Sequence, residues 1–174
     1  MLFRAYTEQD FAELYAIEEL CFPPPFRFGR RQMRQLVQSG NAATWIAEQD
    51  GRMCGFAIAE WTAQAGQIAA YIQTIEVAPD WRGQGVGGEL LGRIEASARA
   101  AGAKPIWLHV DAENAAAIRL YEANGYRIEG REENYYPRGR AALICSKALG
   151  ALPVSQVTCE DAHTPMTAPP LSMV

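Results

Sequence analysis

One run of residues, Arg82-Gly83-Gln84-Gly85-Val86-Gly87, constrains the fold more than any other part of the chain, because it joins two stretches of incompatible period. Upstream, Gln67 to Val77 is rich in β-branched and aromatic residues and reads as a strand that stops at Ala78-Pro79. Downstream, Val86, Leu90, Leu91, Ile94 and Ala98 recur at helical spacing, and Gly102 supplies a carboxy-terminal cap. A glycine turn between a strand and a helix lets the backbone wrap closely around a ligand. The amides it exposes at the helix start carry partial positive charge and attract an anion such as a diphosphate. Arg82 can add a charged donor. The spacing lacks the Gly-Lys-Ser/Thr of an NTP loop and the further glycine and ribose-binding acid of a dinucleotide site. Taken alone, the run also suits a turn that merely packs strand on helix.

The flanking sequence predicts a compact α/β order. Leu2 to Tyr6 reads as a strand, followed by a helix starting near Thr7 and Asp10 and ending near Phe22. Pro23, Pro24 and Pro25 cannot continue that helix, so a stiff loop leads to a second helix from about Gly29 to Ser39. Thr44 to Gln49 and Arg52 to Trp61 flank Asp50-Gly51 as a hairpin. Ile106 to Asp111 is a strand, Asn114 to Asn124 a helix ending at Gly125, and Tyr126 to Arg131 and Ala141 to Lys147 are the last strands. These elements define a domain over residues 1–150. Residues 151–174 turn to Pro, Thr, Ser and small residues without period, which predicts a flexible tail.

The totals remove several classes of function. A chain of 174 residues with 49% hydrophobic and 21% charged residues has enough apolar surface for one packed core. Its 16 basic and 20 acidic residues leave a formal charge of -4 without a basic run, so nucleic acid is not an expected partner. The amino terminus lacks a signal-peptide pattern and no long apolar span occurs, so a cytoplasmic protein with no membrane partner is expected. Cys21, Cys54, Cys145 and Cys159 are widely spaced with no histidine cluster, so no metal site is expected and buried thiols are.

Ile75 to Tyr126 resembles the GCN5-related N-acetyltransferase (GNAT) family, through the glycine turn and through Leu108-His109-Val110, Asn114, Ala117-Ile118, Leu120-Tyr121-Glu122 and Gly125-Tyr126. Asn134-Tyr135-Tyr136-Pro137 resembles that family's protein N-terminal acetyltransferases, both the NatE type and the bacterial ribosomal-protein-alanine type. The resemblance implies a mixed α/β sheet of about seven mostly antiparallel strands flanked by about four helices, with acetyl-CoA as cosubstrate and no metal. It places the cofactor against Ile75, Val77, Arg82, Gly83, Gln84, Gly85, Val86, Gly87 and Asn114. Tyr121 then lies by the thioester sulfur as proton donor, a fitting role for a phenol facing a thiolate. Packing on the sheet is the other reading of Tyr121, and Asn114 equally suits a helix cap, a role compatible with cofactor binding.

Acetyl transfer needs a neutral amine. At pH 7 about a tenth of an α-amine with a pKa of about 8 is neutral, against roughly 0.04% of a lysine side chain. A modest base therefore serves an α-amine. The resemblance offers Tyr71 with His109, as in the NatE type, and Glu76 as an alternative base on the same strand. The bacterial ribosomal-protein-alanine type carries glutamate in place of His109. Regular strand alternation puts Tyr71 and Glu76 on opposite faces unless a bulge intervenes.

Phe22-Pro23-Pro24 resembles the loop that receives the acceptor's first side chain, and Tyr135 and Tyr136 the loop that holds its backbone. Asp10, Glu132 and Glu133 could favour a basic peptide, although loop charges usually face water. The acceptor implied is a protein or peptide N-terminus. A small amine, and a noncatalytic acyl-CoA-binding sensor, are the alternatives.

Overall fold

The computed structural model describes residues 1–64 and 66–150, so the expected tail lies outside the described residues. Seven strands form one sheet: β1 (Leu2–Ala5), β2 (Ala42–Gln49), β3 (Arg52–Gln64), β4 (Gln67–Val77), β5 (Ala103–Asp111), β6 (Arg127–Tyr136) and β7 (Arg140–Ala148), in the order β1-β2-β3-β4-β5-β7-β6. Four α-helices accompany them: α1 (Phe11–Cys21), α2 (Arg30–Val37), α3 (Val86–Ala100) and α4 (Ala115–Ala123). All neighbouring strands are antiparallel except β4 and β5, which run parallel because α3 crosses over between them.

The helices cover both faces of the sheet. Phe11, Leu14 and Ile17 of α1 and Met33 of α2 bury against Ile46, Phe56 and Ile58. Leu90, Leu91 and Ile94 of α3, with Ala117 and Tyr121 of α4, bury against Ala57, Ile72, Ile75, Ile106 and Leu108 on the opposite face. Each fully buried large aliphatic side chain contributes about 1.5–3 kcal/mol, so two such layers account for the burial of the central strands.

Local signals explain the boundaries. Asp50 and Gly51 both have positive φ (52° and 74°), as the tight β2–β3 turn requires. Asp10 is committed to structure: it accepts hydrogen bonds from Thr7 N (2.7 Å) and from both terminal nitrogens of Arg4 (2.8 and 2.7 Å). It therefore joins β1 to the start of α1, with its carboxylate engaged by Arg4 and Thr7.

Two features depart from the sequence expectation. First, Ile58 pairs with Thr74 but Ala59 with Ile72, so Gln73 is an extra residue, a β-bulge in β4. The bulge reverses the alternation, and Tyr71, Thr74 and Glu76 share the α1 face while Ile72, Ile75 and Val77 face α3. Second, β6 continues past Arg131 to Tyr136, so Tyr135 and Tyr136 lie on a strand and not in a loop. The pairs Glu132–Ala142 and Tyr136–Arg140, closed by the turn Pro137–Gly139, extend the ladder across an irregular stretch that strand propensity does not reveal.

Candidate active site

The parallel ladder between β4 and β5 ends at the pair Tyr71–Trp107, although β4 continues to Val77 and β5 to Asp111. The two strands part beyond that pair, with α3 and the glycine turn at the end of β4 and α4 at the end of β5. The sheet thus opens where the sequence places its chemistry.

On one side of this opening, Gly83 and Gly85 have φ of 72° and 84°, a region that side chains with a Cβ rarely adopt. A Cβ built on either glycine meets nothing within 4 Å, so the requirement is backbone conformation and open space, not packing. Gly85 caps α3, and Val86 and Gly87 open the helix as buried residues. The result is a cradle of main-chain amides at a helix start, which fits an acyl-CoA pyrophosphate. Arg82 faces inward: its Nε donates to Val77 O (2.9 Å) and a terminal nitrogen lies 3.5 Å from Cys21 Sγ. The guanidinium braces the turn against β4 and α1. Gln84 Nε2 donates to Asp80 O (2.9 Å), which closes the turn from outside. Ile75 and Val77 bury their side chains under α3.

On the other side, Asn114 caps α4 by accepting from Ala117 N at 3.1 Å. Tyr121 is fully buried on α4, edge-on to Tyr126 with ring centroids 5.5 Å apart. Tyr136 approaches it from β6. Burial pushes the Tyr136 phenol well above its usual range, with smaller contributions from Tyr135, Asp111 and Tyr121. Arg140 Nε lies 2.7 Å from the buried Asp111 Oδ2, and a terminal nitrogen lies 3.2 Å from Glu113, so this arginine anchors the end of β5.

Between these lies an aromatic cluster on the α1 face. The Tyr71 hydroxyl is 3.0 Å from His109 Nδ1. Trp107 packs edge-on to both rings, at 4.6 Å from Tyr71 and 5.5 Å from His109. Tyr135 stacks on the imidazole at 4.1 Å with planes 14° apart. Glu132 Oε2 stands 3.5 Å from His109 Nε2. Burial, followed by the Tyr135 hydroxyl's proximity, holds the Tyr71 phenol well above its ordinary value, so it stays protonated across the working range. Burial likewise raises Tyr135 to about 12.

Glu76 is placed apart from this cluster. Five residues along β4 from Tyr71, roughly 15 Å at strand rise, it is completely buried and accepts from Thr74 Oγ1 at 3.0 Å. Burial, and then the facing Glu18 carboxyl, hold it well above the carboxylate range. Glu18 is itself buried on α1 and accepts from Phe28 N at 2.6 Å. Burial and the proximity of the two carboxyls both favour the protonated form, and the bulge that turns Glu76 toward α1 gives it Glu18 as partner. Glu76 thus faces Glu18 on the α1 side, apart from the Tyr71–His109 pair.

Phe22 also lies elsewhere than expected. It is 1% exposed, in the core with Phe26 and Phe28, while Pro23 and Pro24 are exposed. The loop presents a proline rim over a phenylalanine floor. Sequence reasoning missed Glu18 and Trp107, and it read Glu132 only as a loop charge; their signal lay in which residues pair across the strands.

With this geometry in place, the comparisons with known proteins are decisive. The model of the acetyltransferase (GNAT) family matches residues 11–126. The chain belongs to the GNAT family. It is an N-acetyltransferase that draws its acetyl group from acetyl-CoA. It is 38% identical over 109 residues, 62% of this chain and 68% of the other, to the [ribosomal protein bS18]-alanine N-acetyltransferase of Escherichia coli strain K12. It is 34% identical over 100 residues to a streptothricin acetyltransferase of Streptomyces lavendulae, covering 57% of this chain and 52% of that protein. The crystal structure of the ribosomal-protein-S18-alanine N-acetyltransferase from Escherichia coli superposes with a TM-score of 0.76 at 26% identity, over 90% of this chain and 99% of that one. Arabidopsis thaliana NAA60 in complex with acetyl-CoA shares the fold, with a TM-score of 0.76 at 21% identity over 84% and 97% of the two chains. Among the described residues, no group of histidine, cysteine and carboxylate side chains could hold a metal ion, and no helix is long and apolar enough to cross a membrane.

Proposed function

We propose that this acetyltransferase modifies the N-terminal α-amine of a protein or peptide, with His109 receiving the amine's proton by way of Tyr71. The observation that carries the reading is the 3.0 Å contact between the Tyr71 hydroxyl and His109 Nδ1 beside the opening of the sheet. Acetyl-CoA supplies a thioester-activated acetyl group, held by the Gly83–Gly87 amides, Asn114 and the strand ends. The chain's own residues have two proton tasks. An α-ammonium must lose one proton before its nitrogen attacks the carbonyl carbon, and the sulfur must gain one as the C–S bond breaks.

His109 suits the first task because its ordinary pKa of about 6.5 lies below that of an α-amine but close enough for transfer. Tyr71 is neutral and relays a proton without storing one. Tyr121 suits the second task from the α4 side. Separating the proton acceptor and donor on opposite faces of the opening keeps them from exchanging a proton directly. The Pro23–Pro24 rim, with Tyr135 and Tyr136, would border an extended peptide, and the relatives named for ribosomal protein bS18 support such an acceptor.

The test is mass spectrometry of a library of peptides and of small amines incubated with the protein and acetyl-CoA. Acetylation at peptide α-amines is expected. Acetylation confined to small amines or to lysine side chains would refute the acceptor assignment, and CoA binding without transfer to any amine would favour the sensor reading.

A further inference from the structure

We propose that Glu132 is a positioning residue for proton removal, which fixes the tautomer of His109 and holds the proton that the imidazole receives. The proposal rests on the reading of His109 as proton acceptor. A neutral imidazole has one donor and one acceptor nitrogen. Nδ1 is 3.0 Å from the hydroxyl of a tyrosine that burial keeps protonated, and Nε2 is 3.5 Å from the Glu132 carboxylate. Placing the hydrogen on Nδ1 would aim an Nε2 lone pair at a carboxylate. Placing it on Nε2 satisfies both neighbours at once. Nδ1 is then the lone pair that accepts from Tyr71 and, through it, from the amine side.

The carboxylate also changes what happens after transfer. When Nδ1 takes the proton the ring becomes an imidazolium, and Glu132 stands at ion-pair distance from Nε2. Tyr135, three residues along the same strand, clamps the ring plane by stacking at 4.1 Å, so the geometry survives the change of charge. Among the described groups that face the ring are Tyr71 on β4, Trp107 on β5, Glu132 and Tyr135 on β6, and Ile144 as the cross-strand partner on β7. Glu132 carries the charge among them. The His109 side chain is 9% exposed and Glu132 37%, so Nε2 is the outlet through which the proton reaches water.

The test compares Glu132→Gln with the parent, both in a His163→Ala background so that one imidazole is observed. Nitrogen-detected NMR gives the tautomer and pKa of His109, and steady-state rates from pH 5.5 to 9 give the acid limb of kcat/KM. Water screening of the half-exposed carboxylate keeps the effect modest: the His109 pKa falls by about half a unit and the acid limb moves by the same amount. The KM for acetyl-CoA stays unchanged, which a merely structural disturbance of the sheet would not produce. An unshifted imidazole with the same tautomer overturns the role of Glu132. A shifted imidazole with an unmoved rate profile overturns His109 as the proton acceptor and leaves Glu132 with no relay to serve.

Discussion

Replacing Tyr121 by phenylalanine removes one oxygen from a fully buried ring and so separates packing from chemistry. The ring keeps its edge contact with Tyr126, and thermal stability is expected to change little. If the hydroxyl protonates the departing sulfur, kcat falls by about a hundredfold or more, the usual worth of a placed general acid, while the KM for acetyl-CoA holds. An unchanged kcat would return Tyr121 to packing alone. Asp10 gives a second test at this scale, this time on stability. Hydrogen bonding to Arg4 holds its carboxyl down at about 2, against an ordinary value of 3.8. The folded state therefore binds this proton less readily than the unfolded chain. The stabilisation is complete above pH 3.8 and is lost as pH falls toward 2. Asp10→Asn should cost about 1–2 kcal/mol at pH 7 in denaturant titrations, with the gap closing in acid. Tyr71, His109 and Tyr121 were named from the resemblance to the family, and the structure brings the first two within 3.0 Å of each other. Glu132 was not legible in the sequence, since a carboxylate acquires its meaning from the imidazole that another strand brings within 3.5 Å.

Elements carry the next layer of argument, because strand β4 does its work through an irregularity. The extra residue Gln73 puts Tyr71 and Glu76 on one face, and Glu76 then meets Glu18 of α1 across a dry contact. Sequence alternation could show that a bulge was needed for that outcome but not that one exists, since a bulge depends on the register of β3 opposite. The buried pair has a pH signature. Burial raises Glu76 above its ordinary 4.5, so the folded state holds a proton that the unfolded chain releases. Stability is then highest below pH 4.5 as far as this group is concerned, and declines as pH rises toward its folded value. Glu76→Gln should remove that decline, visible as an unfolding free energy that falls less steeply as pH rises above 4.5, while leaving acetyl transfer in place. Loss of transfer in a folded Glu76→Gln protein would restore Glu76 as a base. The glycine turn is simpler. Gly85 at φ 84° has open space before it, so Gly85→Ala costs about 1–2 kcal/mol of backbone strain and puts a methyl where the cofactor's phosphates would lie. Calorimetry should show weaker CoA binding, by tenfold or more, with a smaller loss of stability. That turn was readable from sequence because positive φ, helix start and anion affinity all demand glycine at once. The length of β6 was not, because Glu132, Glu133 and Asn134 are poor strand formers, and after Glu132–Ala142 the ladder with β7 resumes only at Tyr136–Arg140.

At the scale of the whole molecule, the sheet separates two apolar layers and parts between β4 and β5, so the site proposed for the reaction is a seam that borders both layers. The seam needs the strand ends held apart and in line. Arg82 does this at the β4 end, through Val77 O and Cys21, and Arg140 at the β5 end, through Asp111 and Glu113. Among the described residues, the chain returns to α3 near residue 149. Leu149 packs into the α3-side layer, and its carbonyl accepts from Arg99 Nε at 3.2 Å. Lys147 adds an ion pair to the buried Glu95 of α3 at 2.7 Å. Among the described residues, the contacts that define the two layers are made by residues up to Leu149. The sequence after that point is rich in Pro, Thr and Ser and carries no hydrophobic period. A chain ending at Gly150 is therefore expected to unfold within about 2 °C of the full chain, since a shift of that size in a domain this large corresponds to less than about 1 kcal/mol. It should also acetylate the preferred peptide at the same kcat. The acceptor KM is the sensitive readout: a change confined to it would mean that residues 151–174 take part in holding the peptide, and a lower unfolding temperature would mean that the domain extends beyond residue 150.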